Sequence, residues 1–249
     1  MQITITGITG IEEVQAGANL PDLIMQGIDR SGLQLEDGDI VVVTQKIVSK
    51  AEGRLVDLTS VEPSHFAQEY AEKWGKDARQ IEVVLRESVR VVRMDRGIII
   101  SETRHGLVCA NAGVDASNVP GKEMVGLLPE DPDASAQRIR EAIKARTGAE
   151  IPVIISDSFG RAWRNGIINV AVGVAGMEPL IDYRGQYDAD GYLLNATIIA
   201  VADEIASAAE LVMGKLDACP VAIVRGYPYN KGEGKGQELI MEPARDMFR

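Results

Sequence analysis

The sequence predicts an α+β fold, with mixed sheets and flanking helices. Three observations carry this reading. Two short runs, Ile40–Val43 and Val153–Ile155, are apolar at every position, as in strands covered on both faces. Several longer segments place apolar residues at helical spacing. Strands and helices do not alternate in a regular βαβ rhythm, which argues against a doubly wound α/β sheet.

The elements follow in order. The opening ITITGI alternates and reads as a strand. Asn19-Leu20-Pro21 starts a helix, with Leu20, Ile24 and Ile28 on one face. Glu36–Asp39 is a turn into the strand Ile40–Val43. Helices are predicted over 63–74 and 78–88, the first carrying Phe66, Tyr70 and Trp74 on a stripe expected to dock on the core. Val89–Val92, Ile98–Ile100 and Leu107–Ala110 read as strands, with Arg104-His105-Gly106 a turn. Asp133–Arg146 is a helix that Gly148 is placed to stop. Val153–Ile155 and the glycine-rich 166–176 are strands, Thr197–Met213 a long helix, and Val221–Val224 the last strand. The glycine-rich KGEGKGQ, residues 231–237, is expected to be mobile.

Composition excludes several functions. The 249 residues carry 26 Lys+Arg against 37 Asp+Glu, a formal charge of −11. Such a chain repels polyphosphate, so no nucleic-acid partner is expected, and any phosphorylated ligand must be met by local cations. No run reaches the roughly 20 apolar residues of a membrane helix, and the N-terminus has no signal-peptide pattern. Two cysteines, Cys109 and Cys219, suffice neither for a disulfide scaffold nor for a four-thiolate metal site, and fit small core residues in a reducing cytoplasm. Neither a P-loop nor a Rossmann glycine pattern is present: Gly214-Lys215 lacks the upstream glycine and following hydroxyl, and Gly232-x-Gly234-x-Gly236 has the wrong spacing. Asp203-Glu204 reads as a pair compensating a helix dipole rather than as a catalytic dyad.

Three strand ends stop in polar residues. After Val43 come Gln45 and the cations Lys46, Lys50 and Arg54, of which the lysines are suited to phosphate. After Ala110 the chain turns small and polar around Asp115, Ser117 and Asn118. After Ile155 come Asp157 and Ser158, then an expected loop with Arg161 and Arg164. Carboxylates and hydroxyls are the oxygen ligands that magnesium and manganese prefer. Asp115 and Asp157 would form one such site only if their two strand ends are neighbours in a sheet.

The blocks GDIVVVTQKIVSKAEGR, ANAGVDASNV, DPDASA, IISDSFGRAWRNG, VADEIASAAELVMGK and PVAIVRG resemble, in that order, those of the coenzyme F420-0:γ-glutamyl ligase family. The resemblance spans essentially the whole chain, so residues 1–249 read as one ligase unit. A division into two intertwined subdomains stays open. The blocks IISDSFGRAWRNG and VMGKLDACPVAIVRG look like the bacterial branch, here as a stand-alone ligase without a flavin-binding C-terminal domain.

This resemblance implies a GTP-dependent reaction. The terminal carboxylate of the deazaflavin precursor F420-0 becomes an acyl phosphate, and the amine of L-glutamate displaces phosphate, giving F420-1 and then longer γ-linked tails. It implies two divalent ions, magnesium or manganese, with potassium as a further cation, and a homodimer. Asp115 and Asp157 match shared metal ligands and Ser158 a second-metal ligand. Lys50, Gln45, Lys46 and Asn118 match GTP contacts, as do the loop Ile11-Glu12-Glu13-Val14 and the stretch Met213, Gly214, Lys215 and Leu216. Asp115, Asp157 and Lys50 are thereby the catalytic candidates. Archaeal members carry an acidic or amide residue near the second metal where this chain has Lys215, so either that ion is bound differently or Lys215 meets phosphate. Arg161 and Arg164 are candidates for holding the anionic substrate. A metal-dependent phosphohydrolase and a non-catalytic nucleotide-binding module remain the alternatives.

Overall fold

The computed structural model describes residues 1–246. Its strands are β1 (Thr4–Ile8), β2 (Ile40–Thr44), β3 (Leu55–Asp57), β4 (Ser88–Asp95), β5 (Ile98–Thr103), β6 (Val108–Ala110), β7 (Met124–Gly126), β8 (Val153–Arg161), β9 (Arg164–Ala175), β10 (Ile181–Asp182), β11 (Ile198–Ile199) and β12 (Val221–Arg225). The α-helices are α1 (Leu20–Arg30), α2 (Gln45–Ala51), α3 (His65–Trp74), α4 (Ala78–Arg86), α5 (Pro132–Thr147) and α6 (Val201–Met213). The α+β class is as the sequence predicts.

The scaffold is a five-stranded sheet in the order β1-β12-β2-β8-β9. Its neighbours are antiparallel except β2 and β8, which run parallel with Thr44 opposite Ser156. Both apolar runs are therefore central strands, and Ile40–Val43 and Val153–Ile155 are fully buried. Strand alternation splits them between two cores. Val41, Val43, Val153 and Ile155 face the layer that holds Ile24, Ile28, Ile139 and Ile143 of α1 and α5. Ile40, Val42 and Ile154 face Val201, Ile205 and Ala209 of α6. A third core lies apart, where Ala67, Ala71, Ile81 and Val84 of α3 and α4 pack with Ile99, Val114 and Val125. It covers the three-stranded sheet β4-β5-β6.

Local chemistry sets the boundaries. Asp131 caps α5 by accepting from the Ala134 amide at 2.9 Å, and Gly148 ends the helix with φ +77°. Ser64 and Asp77 cap α3 and α4 in the same way. Asp203 is not left to the helix dipole alone: its carboxylate accepts from the Ala171 amide at 2.8 Å and ties α6 to β9. His105 sits in the β5–β6 turn as expected, its Nε2 within hydrogen-bond distance of the Pro129 and Glu130 carbonyls.

Five expectations need correction. The helix expected from Thr197 begins at Val201, because Ile198 and Ile199 pair with Ile181 and Asp182 instead. The aromatic stripe is not what α3 buries: Ala67 and Ala71 are, while Phe66 is half exposed and stacks on Tyr70. Residues 45–51, read from the sequence only as a polar strand end, form a helix. Strand β8 runs on to Arg161, so the expected arginine loop is a hairpin tip. The tract 231–237 is docked: Gly234 and Gly236 are buried, and an added Cβ at Gly236 would lie 2.9 Å from the Val172 carbonyl oxygen. Low side-chain bulk there serves close backbone approach, not mobility. Cys109 and Cys219 are both buried, Cys109 in β6 and Cys219 just ahead of β12. No helix among the described residues is long and apolar enough to cross a membrane.

Candidate functional site

Helix α2 leaves β2 without a loop, so its first side chains stand at the end of a buried strand. Residues four apart share a helix face. One row is Gln45 and Ser49, both buried, with Ser49 Oγ donating to Gln45 Oε1 at 2.7 Å. The other is Lys46 and Lys50. Lys50 is 7% exposed and its ammonium meets Glu13 Oε1 at 2.5 Å. That bond holds the segment Ile11-Glu12-Glu13-Val14 against α2. Arg30 fixes the same segment by bonding the Gly10 carbonyl at 2.8 Å and Glu12 at 3.0 Å. Val14 is buried and Ile11 partly buried, both packed in the core, so only the backbone there and the two glutamates face outward.

Asp115 arrives from another sheet. The turn Asn111–Gly113 carries Asn111 and Ala112 at φ +53° and +52°, a left-handed pair that bends the chain sharply after β6. Asp115 then exchanges two backbone hydrogen bonds with Gly126, of 3.1 and 2.8 Å. Its carboxylate accepts from the Ser117 amide at 2.8 Å and the Ser117 hydroxyl at 2.7 Å, and forms an ion pair with Lys46. The Lys46 ammonium also reaches Ser117 Oγ at 3.0 Å. Gln45, Lys46, Ser49, Lys50, Asp115 and Val119 line one narrow crevice. Asn118 lies beyond it, exposed, with φ +54°.

Asp157 enters from β8, one residue past the last pairing with β2. Gln45 hydrogen-bonds its side chain, and Lys46 and Asp115 both act on its charge. The two aspartates therefore share one electrostatic neighbourhood. The route is not adjacency in a sheet: β6 and β8 belong to different sheets, and the meeting is made across them. Their environments push the pair apart. Burial raises the Asp157 carboxyl to about 6, with the Asp115 charge adding to the rise against the opposing Ser158 amide and Lys46. Burial acts on Asp115 too, but the Lys46 and Ser117 bonds outweigh it and hold that carboxyl below the usual range. Cys109 lies within reach of the Asp157 charge; burial, then that charge, pushes its thiol up to about 12, which makes it a wall and not a nucleophile.

These two carboxylates fit a hard divalent ion. One is partly desolvated with no cation of its own, and the other is held ionised beside it. The remaining candidates lie elsewhere. Adjacent strand residues point to opposite faces, and Ser158 turns away from Asp157 toward α6. Its hydroxyl donates to Asn169 Oδ1 at 2.7 Å and accepts from Lys215, which also pairs with Glu210 at 2.8 Å. In the Met213–Leu216 stretch Met213 is a core residue, Gly214 turns the chain at φ +57°, and Leu216 is 94% exposed. Arg161 donates from Nη2 to the Asn165 carbonyl at 3.1 Å; Arg164 is exposed at the hairpin tip. Sequence reasoning missed Asn169 and Glu210. The period-2 pattern of 156–161 was the available signal, since it alone separates Asp157 from Ser158. A cavity of about 550 Å³ opens at the start of α5, lined in part by His105, Asp133, Val172, Glu233 and Lys235. It lies along β9 from Val170, the pairing partner of Asp157.

A sequence model of the F420-0:gamma-glutamyl ligase family matches residues 9–226. The coenzyme F420:L-glutamate ligase of Methanothermobacter thermautotrophicus is 44% identical over 252 aligned positions, covering 100% of both chains. The enzymes of that name from Methanopyrus kandleri and Methanocaldococcus jannaschii are each 44% identical, covering 95% and 93% of this chain and 94% and 90% of their own. With more than two thirds of the sequence matched and every polar strand end inside that span, the chain belongs to the F420-0:gamma-glutamyl ligase family.

Proposed function

We propose that this enzyme joins L-glutamate to coenzyme F420-0, using GTP to activate the acceptor carboxylate as an acyl phosphate. One observation carries the reading. In a member of this family, two aspartates and a lysine converge where a buried strand pair opens to solvent. The chemistry explains why such a cluster is needed. A carboxylate cannot expel oxide, so it must first gain a phosphoryl group, and that step brings anion to anion. Asp115 and Asp157 would hold a divalent ion, magnesium or manganese, and such an ion would supply neutralising positive charge.

The side chains have distinct parts in this reading. Lys46, paired with Asp115 and lining the crevice, would present its ammonium to a phosphate oxygen there. Lys50 holds the Glu13 segment and faces the same crevice. Gln45 orients the Asp157 carboxylate. The crevice is too narrow for a deazaflavin, and the cavity along β9 gives room for the acceptor. A homodimer belongs to the proposal. Trp163 and Ile167, 83% and 54% exposed on the β8–β9 hairpin, offer apolar surface for it, and light scattering of the purified chain tests this.

The deciding experiment incubates the protein with F420-0, L-glutamate, GTP and manganese and follows the product by mass spectrometry. A mass increase of one glutamyl residue, with phosphate released only when both acceptor and glutamate are present, is expected. Phosphate release from GTP alone identifies a phosphohydrolase instead, and GTP binding without turnover a nucleotide-binding module.

A further inference from the structure

The resemblance that implies two divalent ions assigns the second to Ser158 and a neighbouring acidic or amide residue. The structure does not fit that ion. A serine hydroxyl has one proton and two lone pairs. The Ser158 proton is committed to Asn169, and its oxygen accepts from the Lys215 ammonium. The nearby carboxylate, Glu210, is taken by the same ammonium at 2.8 Å. The oxygens that a second ion would need are thus already gathered around a positive charge that the chain itself supplies. A divalent ion entering there would meet that ammonium at contact distance, and a protonated lysine offers it no lone pair.

The backbone makes this arrangement deliberate. Gly214, at φ +57° and ψ −162°, turns the chain abruptly at the end of α6, and Lys215 follows at once. From there the side chain reaches back to Glu210 on the last turn of the helix and across to β8. The Lys215 side chain remains 48% exposed, so its ammonium is accessible to an anion from solvent. Because β2 ends at Thr44, opposite Ser156, no strand among the described residues pairs with that edge of β8 at residues 157 and 158. A polyphosphate lying across that edge would have the Asp115–Asp157 pair on one face and Lys215 on the other.

We propose that Lys215 replaces the second divalent ion. The enzyme then holds one divalent ion per chain, at Asp115 and Asp157, and the Lys215 ammonium provides the other cation facing the nucleotide phosphates. Both statements rest on the ligase reading above, and the second also on the Ser158–Lys215–Glu210 cluster.

The test is a manganese titration of the purified chain, with free Mn²⁺ counted by electron paramagnetic resonance. One ion per chain is expected for the parent protein. Lys215→Glu, which puts a carboxylate beside Glu210 and Ser158, is expected to bind two, and Lys215→Arg, which keeps the charge, one. Asp157→Asn on the parent background is expected to lose its single ion. Two ions on the parent, or no gain in Lys215→Glu, overturns the replacement and leaves the carboxylate-pair site standing. No ion on the parent overturns the carboxylate-pair reading itself, and the replacement with it.

Discussion

The two faces of β8 at residues 157 and 158 solve opposite electrostatic problems. Toward α2, two carboxylates and one ammonium leave a shortage of positive charge, and burial, with the Asp115 charge adding to it, raises the Asp157 carboxyl to about 6. Toward α6, one ammonium meets one carboxylate and a hydroxyl already bonded to Asn169, and no charge is missing. One side chain of difference along a strand therefore separates a face short of positive charge from one that carries its own. Perturbed titration marks the first kind of face.

Substitutions on the two faces should differ most in turnover. Asp115→Asn or Asp157→Asn removes a carboxylate charge from the deficient face, and each is expected to lower kcat by about 10³-fold, the scale of losing a preorganised electrostatic contact. Far-UV circular dichroism should stay at the parent spectrum, since neither carboxylate fills a core. Ser158→Ala on the balanced face removes a hydroxyl that Lys215 and Asn169 can do without, and about a 10-fold loss is the most expected there. Equal losses from Asp157→Asn and Ser158→Ala, in the same product assay, would erase the distinction.

Stability against pH gives the next largest contrast, measured with a chelator present. A carboxyl at about 6 in the folded chain and 3.8 unfolded retains a proton that the unfolded chain has lost. Above pH 6 the fold must bury the charged form, at a cost of at most about 3 kcal/mol. Asp157→Asn should therefore melt higher than the parent at pH 8, and the gain should shrink as pH falls through 6 toward 4. Asp115 behaves in the opposite sense. Its carboxyl is lowered, so it contributes stability at neutral pH that is lost as pH falls through its folded value, and Asp115→Asn should melt lower at pH 8. Saturating manganese should stabilise the parent and narrow the Asp157→Asn advantage. A parent and an Asp157→Asn protein with parallel melting curves from pH 4 to 8 would show that Asp157 is not desolvated.

These contrasts also show where sequence is informative. Ile40–Val43 and Val153–Ile155 read directly as central strands because four or three consecutive branched apolar residues have few other places to go. The Gly148 stop was equally plain, being local. Phe66 misled because the neighbouring row, Ala67 and Ala71, packs closer to the core than rings allow. Residues 45–51 look polar by composition, yet the buried positions Gln45, Ile47, Val48 and Ser49 give α2 its inner face only once β2 and β8 are in place. The approach of Asp115 to Asp157 was hardest, since it depends on the Asp115–Gly126 bridge and on contact between separate sheets, which no local pattern encodes.

The smallest effect separates the ammonium groups themselves. Lys50 is 7% exposed and tied to Glu13, whereas the Lys215 side chain is 48% exposed and tied to Ser158 and Glu210. A buried lysine with one exposed partner is a fixed charge lining the crevice, and its removal should act on whatever anion binds there. Lys50→Met keeps the length and loses the charge, so it is expected to raise the KM for GTP by about 10-fold, near 1.4 kcal/mol, while the KM for glutamate changes less than about 2-fold. Glu13→Gln retains an acceptor for Lys50 and should have a smaller effect in the same direction. If both Michaelis constants rise together in Lys50→Met, Lys50 supports the packing of the Ile11–Val14 segment in general, and the phosphate contact must be sought at Lys46 and Lys215.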